Sequence, residues 1–554
     1  MVSVELAVMA SVMVLSALVG VVSAGHASWT HLHHLHQAEL HALQQIRTLL
    51  HTFNELNEVL QRYVDSWEAI GGDAGTPPGD PAAAYSLLRH VAGGWTQVNG
   101  ALHKLKGVFS DIEVLASRAD WELLPSGEDV AAASEALVRL VHVYDLNMTT
   151  LASAGHFHPH QREINTAPPP HYPLAVSDLA SIGLVAVNKG YLNIGVEFLR
   201  AARARSTIHA HADGGSLETQ FSTQRLDSLL NTAVRVHDHV LEMRGPRSLT
   251  HITARTSYGL SQGRVHRPKE NAKEDVVVGV QYLKLHGNKT WMVQERPLVE
   301  RRQVEMLCRG VELRTSVIKC ELHCRYMSNS SPWLLLAPFK VEQLSLDPYI
   351  TLIYEVLSPR EAAEVKERAS SQLHTSYTAR KGSGHDAPSS EWSLKHAWLE
   401  EREVTSLQRL GRRLSQLVGV TLHDSLSEPY RVADSGLGES YEARRDTHGP
   451  ARSPPNPAVG ERMATVLTYL EAPAAGGRTV FPWAGVGVEA VERAAVLWWN
   501  LLASHEHDFL TRHAACPVLY GRASSLTKWV GYTGQWQTLP CASHPARKVM
   551  LPWR

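Results

Sequence analysis

The hydrophobic period of the chain changes part-way along, and that change limits what it can fold into. Up to about residue 242, apolar residues recur in steps of three and four, the spacing that presents one face of a helix to a core. From about Asp347 the pattern becomes short β-branched and aromatic runs at 349–356, 464–470, 480–481, 494–501 and 525–532. Helical patterns at 360–371 and 405–417 precede most of these strands. Short strands with flanking helices fit a double-stranded β-helix, or jelly roll. The expected fold class is therefore α+β and multidomain, with helical domains first and a jelly roll last. A length of 554 residues exceeds what one core serves and implies three or so domains.

Composition narrows the function classes. With 44% hydrophobic and 20% charged residues the chain is globular rather than disordered. A net charge of -1 offers no field for nucleic acid or an anionic membrane, so no nucleic-acid partner is expected. The apolar run at 6–22 ends in Val22-Ser23-Ala24, a small-residue cleavage pattern, although Glu5 stands where basic residues are usual. The reading is a signal peptide over 1–24; a retained signal anchor is the alternative, since about 17 residues is marginal for a span. Sequons at Asn147, Asn288 and Asn329 agree with secretory entry. The five cysteines, at 308, 320, 324, 516 and 541, imply two bridges and one leftover thiol in an oxidising compartment. No CxxC pair supports a zinc site.

The N-terminal half carries its own punctuation. Leu43, Ile46, Leu50, Phe53, Asn57, Leu60, Val64 and Trp67 form a heptad seam, with Asn57 placed to fix register. It serves either a helix within its own domain or self-association. Gly71-Gly72 and Pro77-Pro78 end it. Helical patterns continue to Met148 with a break at Pro125-Ser126-Gly127, and Pro168-Pro169-Pro170 reads as a linker. Further helical patterns follow at 174–205 and 227–242, and a basic, weakly patterned connector at 245–288.

Chemistry concentrates near the C-terminus. There stand Gly438-Glu439-Ser440-Tyr441-Glu442-Ala443-Arg444-Arg445-Asp446, Thr465-Val466-Leu467-Thr468-Tyr469, Gly476-Gly477-Arg478-Thr479-Val480-Phe481-Pro482, Trp498-Trp499-Asn500-Leu501, Arg512-His513-Ala514-Ala515-Cys516-Pro517 and Lys528-Trp529. Non-haem iron oxygenases hold Fe(II) by two histidines and a carboxylate, leaving three positions open. The motifs closely resemble the catalytic end of the collagen prolyl 4-hydroxylase alpha subunits, over most of 300–541. The resemblance implies a 2-oxoglutarate, Fe(II) and L-ascorbate dependent hydroxylase of proline in collagen-like peptides. It assigns Asp446 and His513 to iron, and Lys528 and Tyr469 to the 2-oxoglutarate pocket.

One departure stands out. The family pattern has its first iron histidine where this chain has Arg444. A guanidinium stays protonated and carries no lone pair for a metal. It also places a positive charge beside a dication. His448, two residues beyond Asp446, is a possible substitute ligand. The family histidine and glutamate after its lysine-tryptophan are replaced by Gly531 and Tyr532. A catalytically inactive relative, acting as a proline-rich peptide binder or assembly subunit, is therefore the alternative function.

The resemblance implies further expectations. Residues 25–165 match an N-terminal helical dimerisation domain, and 171–265 a tetratricopeptide-like peptide-binding domain. In that domain the groove tyrosines fall on Leu192 and Asn193, leaving Tyr191 as the aromatic substrate contact. Residues 266–340 are a connector, 341–541 the dioxygenase domain and 542–554 a tail. Bridges Cys308–Cys324 and Cys516–Cys541 are implied, leaving Cys320 odd. The C-terminal residues include no KDEL-like signal. The family is retained in the endoplasmic reticulum lumen by pairing with protein disulfide isomerase, so that partner and compartment are expected here.

Overall fold

The structure, a computed structural model, describes residues 63–68, 80–102, 127–148, 151, 174–209, 222–248, 296–328, 332–375, 395–438, 443–448 and 456–542 without 536, with scattered helical positions between 32 and 43. The expected signal segment, the tail, most of the heptad seam, Asn288 and Asn329 lie outside them. The chain divides into two compact units. The first is Met1–Pro268 with Tyr377–Ser393 and Gly436–Gly438; the second is Lys269–Ser376, Leu394–Ser435 and Glu439–Arg554.

The first unit is helical: α1 (Pro81–Leu102), α2 (Gly127–Tyr144), α3 (Val176–Asn188), α4 (Leu192–His209) and α5 (Thr223–Ser248). Helices α3 and α4 pack closely because two glycines meet across them. A Cβ on Gly183 would sit 3.2 Å from the Gly195 carbonyl oxygen, and one on Gly195 would sit 2.9 Å from that of Gly183. Any larger side chain would push the pair apart. The C-terminal end of the heptad seam is buried within the chain. Trp67 packs against the rings of His36 and His90. Tyr191 lies just before α4, half-buried, with its ring edge-on to His142 of α2. Leu192 and Asn193 are buried, at 7% and 4% exposure, and do not present a surface.

The second unit contains α6 (Arg296–Cys308), α7 (Ser316–Cys320), β1 (Cys324–Met327), α8 (Pro332–Leu336), β2 (Phe339–Leu346), β3 (Tyr349–Tyr354), α9 (Pro359–Ser370), β4 (His374–Thr375), β5 (Lys395–Leu399), α10 (Thr405–Val418) and β6 (Tyr430–Asp434). There follow β7 (Arg462–Glu471), β8 (Ala475–Gly476), β9 (Thr479–Phe481), β10 (Val486–Val488), β11 (Ala495–Trp499), β12 (Ala514–Ala515), β13 (Val518–Tyr520) and β14 (Ser524–Gly531). A nine-stranded sheet runs β1-β2-β3-β11-β7-β14-β6-β5-β4, beside a three-stranded sheet β10-β9-β12 and the pair β13-β8. All pairings are antiparallel.

One face of the large sheet packs on α9 and α10, the other on the three-stranded sheet. Helix α10 fits the first face because Leu407, Leu410, Leu414 and Leu417 fall on one side. Each buried leucine contributes about 1.5–3 kcal/mol. Gly419, at φ 76°, closes the helix in the left-handed conformation. Helix α9 starts on a capping box, in which the Ser358 side chain accepts from Glu361 N and the Ser358 N–H donates to the Glu361 carboxylate.

Two expectations need correction here. Residues 296–328 are not a loose connector: they contribute α6 and the edge strand β1 to the second unit. Neither expected disulfide is present. The bridge joins Cys308, at the end of α6, to Cys516, with a Cα separation of 5.6 Å. Both cysteines are buried, at 4% and 3% exposure, whereas Cys320, Cys324 and Cys541 are free and exposed. Cys308–Cys324 fails because Cys324 opens an outer strand that faces solvent. Cys516–Cys541 fails because Cys516 points at α6, the element that covers its strand.

Candidate active site

Strand register decides which side chains share a face. On β7, Thr465 and Tyr469 lie on the face toward the small sheet, while Val466 and Leu470 belong to the helix-covered core. Across on β14, Trp529 pairs with Thr465, Thr527 with Leu467 and Ser525 with Tyr469. These residues therefore share the inner face. Arg431 of β6 is opposite Thr527 and stands on that face too.

Two of the expected ligands meet there. Asp446 and His513 are 7% and 8% exposed, with His513 Nε2 3.5 Å from Asp446 Oδ1. That separation suits two donors converging on one ion at about 2.0–2.2 Å each. His513 Nδ1 lies 3.0 Å from the Thr511 carbonyl oxygen, which fixes the ring. Asp446 is held by a relay. Trp498 Nε1 donates to Asn500 Oδ1, Asn500 Nδ2 donates to Thr465 Oγ1, and Thr465 Oγ1 donates to Asp446 Oδ2, each at 2.8 Å. The Trp498 ring also packs 4.8 Å from the His513 ring. Burial alone would raise the Asp446 carboxyl, but the charges of His513 and Arg444 overcome it and hold the group well below the usual carboxylate range.

Arg444 is in place and is the wrong chemistry for a metal. Its backbone forms an antiparallel bridge with His513, donating to the His513 carbonyl at 2.9 Å and accepting from its N–H at 3.0 Å. The third corner of the site thus belongs to a cation without a lone pair. His448 does not replace it. Its Nε2 faces Glu428 at 3.8 Å, and its backbone N–H donates to Glu461. Glu428 in turn grips Arg462, which lies over the Trp529 ring at 3.8 Å. Among the described residues no three His, Cys, Asp or Glu side chains gather as a metal site. The donor set does not fit Fe(II).

Lys528 needs a second correction. It follows Thr527 and precedes Trp529, so it points to the opposite face, with Leu526 and Val530 in the helix-covered core. There it is 1% exposed, 2.5 Å from Asp424 Oδ1, 3.5 Å from Glu401 Oε1 and 4.1 Å above the Tyr430 ring. It anchors the helical layer and does not reach the site. Tyr469 is on the inner face, 5% exposed, sharing a 2.8 Å hydrogen bond with Thr479.

The sequence reading missed the clamp behind His513. Glu300 of α6 pairs with Arg512 at 2.6 and 3.0 Å and accepts from Trp483 Nε1 at 2.7 Å. With the Cys308–Cys516 bridge, α6 holds the His513 strand on both sides.

Comparison with known proteins places this site in a family. A model of the prolyl 4-hydroxylase alpha-subunit N-terminal region matches residues 28–158. The human prolyl 4-hydroxylase subunit alpha-3 is 30% identical over 514 residues, covering 88% of each chain. The chicken subunit alpha-2 is 29% identical over 475 residues, covering 83% of this chain and 84% of that one. The mouse subunit alpha-1 is 27% identical over 500 residues, covering 87% and 89%. The chain belongs to the family of prolyl 4-hydroxylase alpha subunits. Among solved structures, a viral collagen prolyl hydroxylase from Paramecium Bursaria Chlorella virus-1, in a 2-oxoglutarate complex, matches at 18% identity and a TM-score of 0.26, covering 33% of this chain and 94% of that one. A prolyl hydroxylase from Trichoplax adhaerens, in complex with a hypoxia inducible factor peptide, matches at 17% identity and a TM-score of 0.24, covering 44% and 94%.

Proposed function

We propose that this chain works as a prolyl 4-hydroxylase alpha-type subunit, acting on proline in collagen-like peptides in a 2-oxoglutarate-dependent oxidation. Family membership over 88% of the chain supports the reading. The observation that carries it is the convergence of Asp446 and His513 at 3.5 Å on an inner sheet face, braced by Thr465, Asn500 and Trp498. One observation favours a second reading: Arg444 at the third corner, which leaves a subunit or peptide-binding role with little or no turnover. Hydroxyproline formation on a proline-rich collagen-like peptide, with succinate release, separates the two. Product above the level of a His513→Ala control supports the hydroxylase; equal levels support the silent subunit.

The finer organisation belongs to the same proposal. The second unit is a double-stranded β-helix, supported by its large and small antiparallel sheets. Residues 171–265 form a tetratricopeptide-like groove, supported by the α3–α4 pair, with Tyr191 as its aromatic contact. The chain enters the endoplasmic reticulum lumen through its signal segment, carries glycans at Asn147, Asn288 and Asn329, pairs with protein disulfide isomerase and self-associates through 25–165. L-Ascorbate and Fe(II) complete the family's cofactor set, although the residues present do not complete an iron site. Changing Leu50 and Leu60 together to Asp should convert the self-associated form to single alpha-type chains by light scattering. No change in mass would remove the heptad from this role.

A further inference from the structure

Three exposed thiols stand apart from the buried bridge, and two of them are neighbours in the sequence. Cys320 ends α7 and Cys324 opens β1, and both are free and exposed. Only Glu321, Leu322 and His323 lie between them. That segment turns: Glu321 N–H donates to the Ile318 carbonyl at 3.3 Å, and Leu322 N–H to the Lys319 carbonyl at 3.2 Å. The β1 side is fixed, because Gln343 N–H donates to the His323 carbonyl at 3.0 Å and Cys324 pairs with Glu342 of β2. The α7 side is not. This helix has no buried residue, and its Val317 and Ile318 are 72% and 41% exposed. β1 has a strand on one side only, and its Tyr326 is 72% exposed. Helix α7 can therefore shift toward β1 without loss of core packing.

Chain geometry sorts the five sulfurs. A disulfide needs its Cα atoms within about 7 Å, which two cysteines four residues apart across a turn reach by a small movement of α7. Cys308 and Cys516 are bonded to each other and buried, which closes them to an attacking thiolate. Cys541 is held elsewhere: the N–H of the next residue, Ala542, donates to the Ala503 carbonyl, beyond the end of β11. β11 stands three places from β1 in the sheet, roughly 14 Å away laterally. Cys320 and Cys324 are thus left to each other. A ring closed by so few residues gains little chain-entropy stabilisation, and an exposed bond is open to attack. A bond between them therefore opens and closes by exchange, unlike the buried bridge.

We propose that Cys320 and Cys324 form a dithiol site whose substrate is a disulfide. The thiolate of either cysteine attacks one sulfur of the incoming disulfide, and that S–S bond breaks. One half leaves and takes up a proton as a thiol; the other half stays as a mixed disulfide. The second cysteine loses its proton and attacks the bonded sulfur of the first. The mixed disulfide breaks, the second half leaves as a thiol, and a Cys320–Cys324 bond remains. Two cysteine sulfurs are oxidised, the incoming disulfide is reduced to two thiols, and no other oxidant enters. The new bond ties α7 to the edge strand β1, and an added dithiol reverses it. The site is separate from Asp446 and His513, and the inference does not rest on the hydroxylase reading.

The test is treatment of the full chain with glutathione disulfide, then acid quenching, alkylation and tryptic mapping without reductant. Cleavage after Lys319 and Arg325 releases Cys320–Arg325 as one peptide that carries both cysteines. Before treatment all three exposed thiols should alkylate. After treatment the wild type should yield this peptide unalkylated and lighter by two hydrogen atoms. Cys541, with no second thiol beside it, should keep glutathione instead. Cys320→Ser and Cys324→Ser should each stop the reaction half-way, with glutathione retained on the remaining cysteine at roughly tenfold the wild-type level. Dithiothreitol should restore alkylation of both cysteines in the wild type. Both positions are exposed, so thermal unfolding of the two variants should match the wild type. Glutathione held on Cys320 and Cys324 of the wild type as firmly as on Cys541 would overturn the proposal. So would two unreacted cysteines while Cys541 reacts, or a bond from either of them to Cys308 or Cys541.

Discussion

A single backbone step separates two fates for a charged side chain in the second unit. Trp529 faces the Asp446 side of the sheet and Lys528 faces the helices, because neighbours on a strand point to opposite faces. The motif around Lys528-Trp529 is legible in the sequence; the face it presents is not, since that depends on register with β7. Asp446 and His513 were legible because short motifs fix them. The relay through Thr465 and Asn500 became visible only when β7 and β11 were side by side. Lys528→Met removes the cation between Asp424 and Glu401, and a buried acid left without its partner costs about 3–5 kcal/mol. Urea denaturation should show that loss; a variant as stable as the wild type would contradict the anchoring role of Lys528. Thr465→Val removes a buried donor to Asp446 and should cost about 1–3 kcal/mol in the same experiment.

Helix α6 shows how an element can be hidden from its own sequence. Its buried face includes Glu300 and Gln303 as well as Met306, Leu307 and Cys308, so the apolar period is broken by polar residues, of which Glu300 is bonded to Arg512 and Trp483. The strands at β3, β7 and β11 were legible because their runs are mostly apolar or β-branched. The cysteine pairing was not, because sequence spacing carries no information on which helix covers which strand. Non-reducing peptide mapping should recover a Cys308–Cys516 peptide and alkylate Cys320, Cys324 and Cys541 without reductant. Recovery of Cys516 joined to Cys541 would contradict the fold around His513. Removing the bridge by Cys308→Ser with Cys516→Ser should cost about 2–5 kcal/mol. Glu300→Gln should lower stability further, since it leaves the Arg512 guanidinium without its matching charge.

On the scale of the whole molecule, a helical unit and a sheet-rich unit were foreshadowed by the change of hydrophobic period, and the family by motifs in the second. What the motifs could not convey is the state of the iron site, where Arg444 stands beside the kept Asp446 and His513. Asp446, His513, the bracing relay and the α6 clamp are all in place around Arg444. The account therefore holds that a single side chain separates this site from an iron site. Fe(II) titration of the wild type and Arg444→His, followed by succinate release, tests this most directly. The predicted result is weak iron binding by the wild type and at least tenfold tighter binding by Arg444→His, with succinate release rising in parallel. Wild-type iron affinity and turnover equal to those of Arg444→His would contradict it.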